Sequence, residues 1–476
     1  MTDRAAVRAE PGERAAPRKG LDPSLLRIAM ILAFGAFVAL LDTTIVGVAV
    51  HSFARDFSAE LADVQWTSTA YLLAMGAVIP ATGWASQRYG ATAMWIASLC
   101  VFALGSALCG LAGSLGALIA FRVVQGLGAG MLFPLMRIIL VEIAGRDSLG
   151  RLMALIAIPV QIAPIIGPIA GGAIIQDLSW RWAFFLNVPI LVAVIALSAA
   201  FVPNSRGTAA GRLDVIGLVA ISGTLSLFVY GFSVLSQGGS ATKVGVLVPL
   251  VGGALLLVAY GLRSARSQAP GVVEFDLFRD RAFAASTAVT FLNNFTLFGA
   301  VFLVPLFFQQ AGGAGALSAG LVLAPQGLGM LVAVLVVGRV IDLRNNYRRL
   351  VTIGLVLVTI GTVPFALAGS GSENLLLMVA LLIRGVGLAL AISPTMVTLY
   401  HSIPGNRVPA ATTANAIVQQ VAGAMGTAVV ALLLQAFLAS GDAVAAFRSV
   451  FWVAVAFVVL TFVPAMFLPT RKIQET

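Results

Sequence analysis

Long apolar segments alternate with short polar segments along almost the whole chain. About 20 consecutive apolar residues are enough to cross the hydrocarbon core of a bilayer as a helix. The pattern therefore predicts an all-α membrane protein with fourteen transmembrane helices. They lie near residues 26–50, 64–86, 92–112, 115–141, 152–176, 184–202, 214–235, 244–262, 283–308, 317–341, 350–368, 374–400, 409–438 and 447–468.

Similar sequence elements recur in the two halves of the chain. GWASQRYG from Gly83 has a counterpart in GRVIDLRNNYR from Gly338, and RVVQGLGAG from Arg122 has one in RGVGLAL from Arg384. Such repeats are typical of transporters built from duplicated bundles. We expect a cytoplasmic disordered tail over 1–24, a six-helix bundle over 25–204, two additional helices over 205–265, an interfacial linker over 266–282, a second six-helix bundle over 283–470 and a cytoplasmic tail over 471–476. The two additional helices either face lipid or bridge the bundles.

The composition is that of a membrane protein. Hydrophobic residues make up 59% of the chain and charged residues only 10%, whereas a soluble domain has about 25% charged residues. The first apolar segment is longer than the apolar region of a signal peptide and contains Asp42, so it is interpreted as a retained helix.

The net charge of +10 is distributed unevenly across the predicted membrane. All but six of the 29 lysine and arginine residues fall on the side of the two termini. This asymmetry is the positive-inside pattern, which places both termini in the cytoplasm and explains the basic charge without a nucleic-acid partner. The bias toward Ala, Val, Gly and Arg indicates a bacterial protein, so the expected location is the bacterial cytoplasmic membrane.

Asp42 is the sharpest single candidate site, because it is the only carboxylate far from a predicted helix end. It lies about eight residues from the outer end of its helix, or ~12 Å, and Arg122 lies about seven residues, or ~10 Å, from the same side. Pairing with arginine favours the charged carboxylate, and separation within the membrane favours the protonated one. The two residues are therefore candidates for proton coupling, and the alternative is a static ion pair.

Several other polar and aromatic residues could line a cavity for an amphipathic substrate. Arg384 lies deep in its helix, and no acid is predicted at the same depth. Four roles are open for it: contact with backbone carbonyls, contact with an anionic group of the substrate, an ion pair with a carboxylate that this depth assignment misplaces, or packing alone. Each amide alone is more often an interhelical hydrogen bond than a ligand contact. The candidate cavity residues are Tyr71, Gln161, Phe291, Asn294, Phe295, Gln420 and Arg384.

Some chemistries are absent from the sequence. There is no HExxH motif or Cys/His cluster for a metal, no Walker A phosphate loop and no GxSxG nucleophile. We therefore expect no enzyme, no metal site and no cofactor, with the proton gradient as the source of energy.

The segment APIIGPIAGG, from Ala163 to Gly172, places prolines and glycines inside a predicted membrane helix. Such residues survive in lipid only where neighbouring helices or a cavity satisfy the backbone. A helix of this kind bends or packs very closely against its neighbours.

These segments together resemble the major facilitator superfamily, in its fourteen-helix drug:proton antiporter branch. LDTTIVGVAV and RVVQGLGAG resemble motifs of the first and fourth helices, which implies a proton-coupling role for Asp42 and Arg122. APIIGPIAGG resembles the antiporter motif, with Gly167, Pro168, Gly171 and Gly172 at its key positions. The implied fold is the major facilitator fold, two six-helix bundles with two extra helices between them.

The resemblance also implies a cytoplasmic gate in the loop after the second helix and in its C-terminal copy. The gate residues are Gly83, Arg88, Gly90, Asp342 and Arg344. The chain departs from the family at Gln87, where an acid is usual, at Ala91 and Thr92, where basic residues are usual, and at Gln419, where arginine is frequent.

The expected function is proton-coupled export of hydrophobic or amphipathic small molecules, such as drugs or antibiotics, by alternating access. The expected partners are the substrate, protons and membrane lipids, and the protein is expected to act as a monomer. The alternatives are a dedicated exporter of one endogenous lipid or natural product, a proton-coupled importer, and a non-transporting receptor or scaffold.

Overall fold

The computed structural model describes residues 22–205, 207, 213–236, 243–266, 271–310, 322–344, 346–369, 374–438 and 442–470. The side chains of several residues between 145 and 169, of 265 and of 335–344 lie outside this description, as does almost all of each predicted tail. The described elements are helices: α1 (Pro23–Asp56), α2 (Leu61–Val64), α3 (Trp66–Val78), α4 (Thr82–Tyr89), α5 (Ala91–Gly110), α6 (Leu115–Asp177), α7 (Trp180–Phe185), α8 (Asn187–Phe201), α9 (Val215–Ser236), α10 (Val244–Arg266), α11 (Arg281–Gln310), α12 (Ala324–Arg344), α13 (Tyr347–Leu367), α14 (Asn374–His401), α15 (Val408–Leu438) and α16 (Ala443–Ala465).

Within the described residues, eleven helices are long and apolar enough to cross a membrane. The predicted span 64–86 is divided into α2, α3, a 3-10 turn at Ile79–Ala81 and α4, because Pro80 interrupts the helix. The predicted span 317–341 overlaps α12, which begins at Ala324. The structure therefore supports a multi-pass all-helical membrane protein.

Two predicted spans, 115–141 and 152–176, both lie in the single helical segment α6. Arg122 and Gly167 are 45 positions apart, which corresponds to roughly 68 Å along a straight helix. Both nevertheless contact α1 within two residues of each other, at Asp42 and Thr44. The chain must therefore reverse direction between Arg122 and Gly167, as the two predicted spans require.

Local sequence signals explain where several helices begin and end. Asp22 accepts a hydrogen bond from Ser24 N at 2.9 Å and Pro23 occupies the first turn of α1, a favoured start. Ser114 accepts from Ala117 N at 3.2 Å and begins α6. Gly90 separates α4 from α5 with a φ of 91°, a conformation that favours glycine.

The helices α9 and α10 lie between the two halves in sequence, and α9 contacts both halves in space. Ser222 donates to the carbonyl of Ala77 on α3 at 2.6 Å, whereas α9 meets α15 through an apolar cluster that contains Leu235 and Ala428. The helix α10 packs against α9. Of the two predicted roles, α9 thus bridges the halves, and α10 covers its outer face.

Among the described side chains, the hydrophobic cluster that contains residues of both six-helix halves lies at one end of the molecule. We call this the basic end; it is the end that carries Gly90, the turn at Phe275–Arg279 and the turn at Gly405–Arg407. One cluster there contains residues of α1, α5 and α6 together with Met396, Tyr400 and Ala411 of α14 and α15. At the opposite end, the far end, each half has a separate cluster, one around Phe53 and Trp180 and the other around Phe307 and Phe451.

Candidate functional site

Asp42 and Arg122 form a fully buried ion pair inside the first half. Arg122 NH1 lies 2.6 Å from Asp42 Oδ2, and each side chain is only 1% exposed. A charge in such a place is costly to bury unless it is paired and hydrogen-bonded. The pairing that equal depth in the membrane predicts is thus present in the structure.

Two amide side chains complete the environment of the carboxylate. Gln125 Nε2 and Asn187 Nδ2 each donate to Asp42 Oδ1 at 2.8 Å. Gln125 Oε1 accepts in turn from Arg122 NH1 at 2.7 Å, and the carbonyl of Thr67 accepts from Arg122 Nε at 3.1 Å. Both carboxylate oxygens and the guanidinium are therefore held by fixed partners from α1, α3, α6 and α8.

An aromatic ring covers the guanidinium. Arg122 Cζ lies 4.0 Å from the centre of the Tyr71 ring and 5.9 Å from that of Phe184. A cation over an aromatic face is stabilised electrostatically, by about 2 kcal/mol when the contact is desolvated. Tyr71 is predicted to line a substrate cavity, but in the structure its ring covers one side of the Arg122 guanidinium.

The antiporter-motif glycines pack directly behind the charge pair. A Cβ atom added to Gly167 would collide with Thr44 Oγ1, and one added to Gly171 would lie 3.1 Å from Ile45 Cγ2. Thr44 and Ile45 are the second and third residues after Asp42 on α1. Gly172 has no atom within 4 Å of such a position, and the side chain of Pro168 lies outside the described residues.

Arg384, the buried arginine of the second half, has no acidic partner among the described side chains. It is 2% exposed, its NH1 donates to Gln326 Oε1, and its NH2 donates to the carbonyl of Thr296 at 3.1 Å. Of the predicted alternatives, contact with a backbone carbonyl is present. The structure adds Gln326 of α12.

The other described side chains of the predicted substrate cavity are not brought together with Tyr71. Phe295 and Arg384 line one small cavity inside the second half. Asn294 donates to the carbonyl of Thr290 in its own helix at 2.8 Å, and Phe291 and Gln420 are half-buried. The side chain of Gln161 lies outside the described residues.

The predicted gate residues lie at the basic end. Gly83 faces α15, where an added Cβ would lie 3.1 Å from the carbonyl of Pro409 and 2.7 Å from Thr413 Oγ1. Arg88 is exposed near the end of α4, and Gly90 ends that helix. The side chains of Asp342 and Arg344 lie outside the described residues.

Two departures from the family pattern have structural substitutes. Thr92 donates its hydroxyl to the carbonyl of Pro203 at 2.7 Å and its N–H to Ser205 Oγ at 3.1 Å, so it ties α5 to the end of α8. Gln419 Oε1 accepts from Arg137 at 3.2 and 3.3 Å, so an arginine of the first half supplies positive charge at that position.

Sequence reasoning missed Asn187, Ser106 and the backbone of Thr67 as parts of the site. Gln125 could have been found, because a residue three positions after Arg122 lies on the same helix face. Asn187 had only a weak signal, an amide inside an apolar stretch. Within the described residues, no group of three or more His, Cys, Asp or Glu side chains could hold a metal ion.

Comparison with known proteins gives a consistent result. The model of the family described as "Major Facilitator Superfamily" matches residues 32–427. A relative named "Multidrug resistance protein B homolog" from Mycobacterium tuberculosis is 34% identical over 431 residues, which cover 90% of this chain and 79% of the relative. A "Putative multidrug resistance protein MdtD" from Cronobacter sakazakii is 30% identical over 446 residues and 92% of each chain.

A solved structure has the same overall fold. The proton:xylose symporter XylE superimposes with a TM-score of 0.67 over 92% of this chain and 94% of its own, at 15% sequence identity.

Proposed function

The chain belongs to the major facilitator superfamily, a family of transporters and not of enzymes, and from this we propose that it is a proton-coupled antiporter that exports hydrophobic or amphipathic small molecules. One observation carries the proposal. The one carboxylate that is buried among the described residues, that of Asp42, accepts hydrogen bonds from Arg122, Gln125 and Asn187, and its side chain is only 1% exposed. Protonation removes its charge and therefore changes every one of these bonds at once.

The proposed coupling uses the ion pair as a two-state element. When Asp42 takes up a proton, Arg122 loses its counter-charge and keeps only the carbonyl of Thr67, Gln125 and the Tyr71 ring as partners. The helix α1 is then free to shift relative to α6. The second arm of α6 is the part of that segment that contains Gly167 and Gly171, after the chain has reversed direction. Because these two glycines pack on the next residues of α1, the shift is transmitted to this second arm.

The proposed orientation follows from the distribution of basic residues. The basic end faces the cytoplasm, both termini lie there, and the chain crosses the bacterial cytoplasmic membrane fourteen times. Protons enter from the far end, toward which Asp42 and Arg122 lie by sequence depth. The substrate enters from the cytoplasm or from the inner leaflet.

The substrate class rests on the relatives. Two proteins that match almost the whole chain are named for multidrug resistance. We therefore favour drugs and antibiotics of amphipathic character as substrates, with no cofactor and with the monomer as the working unit. A dedicated exporter of one endogenous lipid or natural product is the second candidate, because the site of Asp42 is equally suited to it.

The test compares two carboxylates on the same helix. Asp42→Asn keeps the shape of the side chain but cannot be deprotonated, so we expect it to abolish proton-gradient-driven efflux from proteoliposomes. Asp56→Asn, at the exposed end of α1, is the matched control and should retain efflux. A panel of antibiotics in an efflux-deficient host identifies the substrates. Undiminished gradient dependence in Asp42→Asn would refute the proposal.

A further inference from the structure

The carboxylate of Asp42 is surrounded by hydrogen-bond donors. Arg122 NH1 lies 2.6 Å from Oδ2, and Gln125 Nε2 and Asn187 Nδ2 each lie 2.8 Å from Oδ1. A charged carboxylate only accepts hydrogen bonds, so both amides turn their NH2 groups toward it. A protonated carboxyl group carries an O–H that needs an acceptor instead. This need arises only when Asp42 takes up a proton, and the inference drawn from it therefore rests on the proposed function.

Neither Arg122 nor Gln125 can supply this acceptor. The guanidinium of Arg122 has only donors. The oxygen of Gln125, Oε1, already accepts from Arg122 NH1 at 2.7 Å. Rotation of the Gln125 amide would turn its NH2 group onto the guanidinium and bring donors face to face. A proton on Asp42 therefore finds no acceptor on either of these side chains.

The other titratable groups near Asp42 are engaged elsewhere. Among the described residues, the charged and titratable groups that act on this carboxylate are Arg122 on α6, Tyr71 on α3 and Cys109 on α5. The Tyr71 hydroxyl interacts with the side chain of Thr43. The Cys109 thiol donates to Gln125 Oε1 at 3.7 Å. Of the side chains that contact the carboxylate, this leaves Asn187.

Asn187 has an acceptor that the protein does not use. The side chain is fully buried, and its Oδ1 has no hydrogen-bond partner in the described structure. Its Nδ2 donates to Asp42 Oδ1 at 2.8 Å and lies 3.1 Å from Ser106 Oγ. Both atoms are bonded to the same carbon, so a half-turn about the Cβ–Cγ bond exchanges their places. Oδ1 would then lie within hydrogen-bond distance of Asp42 and Ser106.

We propose that Asn187 is the acceptor for the coupling proton, and that its amide makes this half-turn each time Asp42 is protonated. The proton comes from water at the far end and forms the O–H bond on Asp42 Oδ1, and this O–H donates to Asn187 Oδ1. The amide thus holds the charged carboxylate with its nitrogen and the neutral carboxyl group with its oxygen. Asn187 is a positioning residue that acts through Asp42.

The half-turn also changes the contact between α5 and α7. Ser106 accepts from Asn187 Nδ2 and donates its hydroxyl to the carbonyl of Phe184 at 2.9 Å. After the half-turn an oxygen faces Ser106, so the hydroxyl keeps this contact only by turning away from Phe184. Protonation of α1 therefore releases a bond between two helices that hold neither charge of the ion pair.

The proposal is tested by infrared difference spectroscopy of the purified full-length protein in proteoliposomes, recorded as the pH is lowered. The carboxyl band of protonated Asp42 is identified by its absence in Asp42→Asn. In wild-type protein that contains isotope-labelled asparagine, we expect an asparagine carbonyl band to move to lower wavenumber at the same pH, because a carbonyl that accepts a hydrogen bond is weakened. This measurement requires no variant at Asn187.

A variant measurement identifies the asparagine. Asn187→Leu has a similar volume but neither donates nor accepts, so the carboxyl band of Asp42 should move to higher wavenumber. Asn187→Thr, whose hydroxyl can donate and accept, should reverse part of this shift. Asn294→Leu is the matched control, because Asn294 donates to the carbonyl of Thr290 in its own helix. This control should leave the band of Asp42 unchanged.

The outcomes separate this inference from the proposed export function. If the Asp42 band appears without a shifted asparagine band, or stays at its wild-type position in Asn187→Leu, the role of Asn187 is refuted and proton coupling through Asp42 stands. If no band that depends on Asp42 appears at any pH at which the protein is folded, Asp42 does not carry the proton and both proposals are overturned.

Discussion

Asn187 links the charge pair to helices that hold neither Asp42 nor Arg122. Its Nδ2 donates to Asp42 Oδ1 at 2.8 Å and also lies 3.1 Å from Ser106 Oγ. Ser106 in turn donates to the carbonyl of Phe184 at 2.9 Å. This chain of hydrogen bonds fixes the carboxylate relative to α5 and α7, so the ion pair depends on an amide outside the helices that hold the two charges.

Replacement of Asn187 with alanine should destabilise the protein without changing any charge. We expect the free energy of unfolding to fall by about 1–3 kcal/mol, because Asp42 loses a donor and stays buried. Thermal unfolding in detergent measures this change. Ser449→Ala, which removes a hydroxyl that only donates to Ala445 in its own helix, is the control and should change stability by less than about 0.5 kcal/mol. Equal unfolding temperatures for the two variants would contradict the role of Asn187.

At the residue scale, the sequence predicts the charges better than it predicts their surroundings. A carboxylate and an arginine in the membrane are so costly that each indicates a partner, and equal depth pairs Asp42 with Arg122. Amides carry no such cost when exposed to other helices, so Asn187 and Gln326 resemble many other amides in the chain. The carbonyl of Thr67 has no sequence signal at all, because every residue has one.

At the scale of helices, α1 and the second arm of α6 approach each other through glycine. Gly167 and Gly171 both face α1, and Gly172, next in sequence, faces open space. Glycine spacing of four residues places the first two on one helix face. A substitution at Gly172 is therefore a control for substitutions at Gly167 and Gly171, because it changes the same helix on a face that contacts no neighbour.

Valine at Gly171 should force α1 and α6 apart, whereas alanine at Gly172 should be accommodated. Overpacking of this kind costs about 1–3 kcal/mol, and Gly172→Ala should be neutral or slightly stabilising, because alanine favours helix. Thermal unfolding and the passive proton leak of proteoliposomes report the two effects. If Gly171→Val leaves both unchanged, the close packing has no role in stability or sealing.

Most helices could be predicted from hydropathy alone, but their continuity could not. Hydropathy predicts one helix over 64–86. Pro80 removes a backbone donor, however, and the chain forms a 3-10 turn at Ile79–Ala81 instead of continuing the helix. The contact of α9 with both halves was one of two open alternatives. This contact depends in part on small polar residues, because the hydroxyl of Ser222 donates to a backbone carbonyl of α3. Hydropathy does not distinguish such a serine from one that faces lipid.

At the scale of the whole molecule, the hydrophobic cluster shared by the two halves shows which end of the molecule is closed. The halves are joined at the basic end, where Gly83 packs closely against the backbone of α15 and Arg137 donates a hydrogen bond to Gln419. At the far end the two halves have separate cores. In the alternating-access cycle proposed above, the basic-end contacts must separate once per cycle.

Valine at Gly83 should prevent the basic end from closing. An added side chain would meet the backbone of Pro409, which cannot move aside, so we expect transport to fall by at least about tenfold. A cysteine at Ala411, buried in the joined core, should then react with a polar thiol reagent. Gly405→Val at the same end, where no atom lies within 4 Å, should leave transport and labelling unchanged. A transport-competent Gly83→Val would show that this contact does not form a gate.

In the proposed proton-coupled cycle, the charge of the Asp42–Arg122 pair makes one half of the cycle sensitive to voltage. As an intact pair the site has no net charge, and with a proton on Asp42 it carries one positive charge. Moving one charge through 100 mV corresponds to about 2.3 kcal/mol. An electrical potential that is negative inside therefore does work on this site only in the half-cycle that carries the proton inward, and the return with the pair restored is electrically silent.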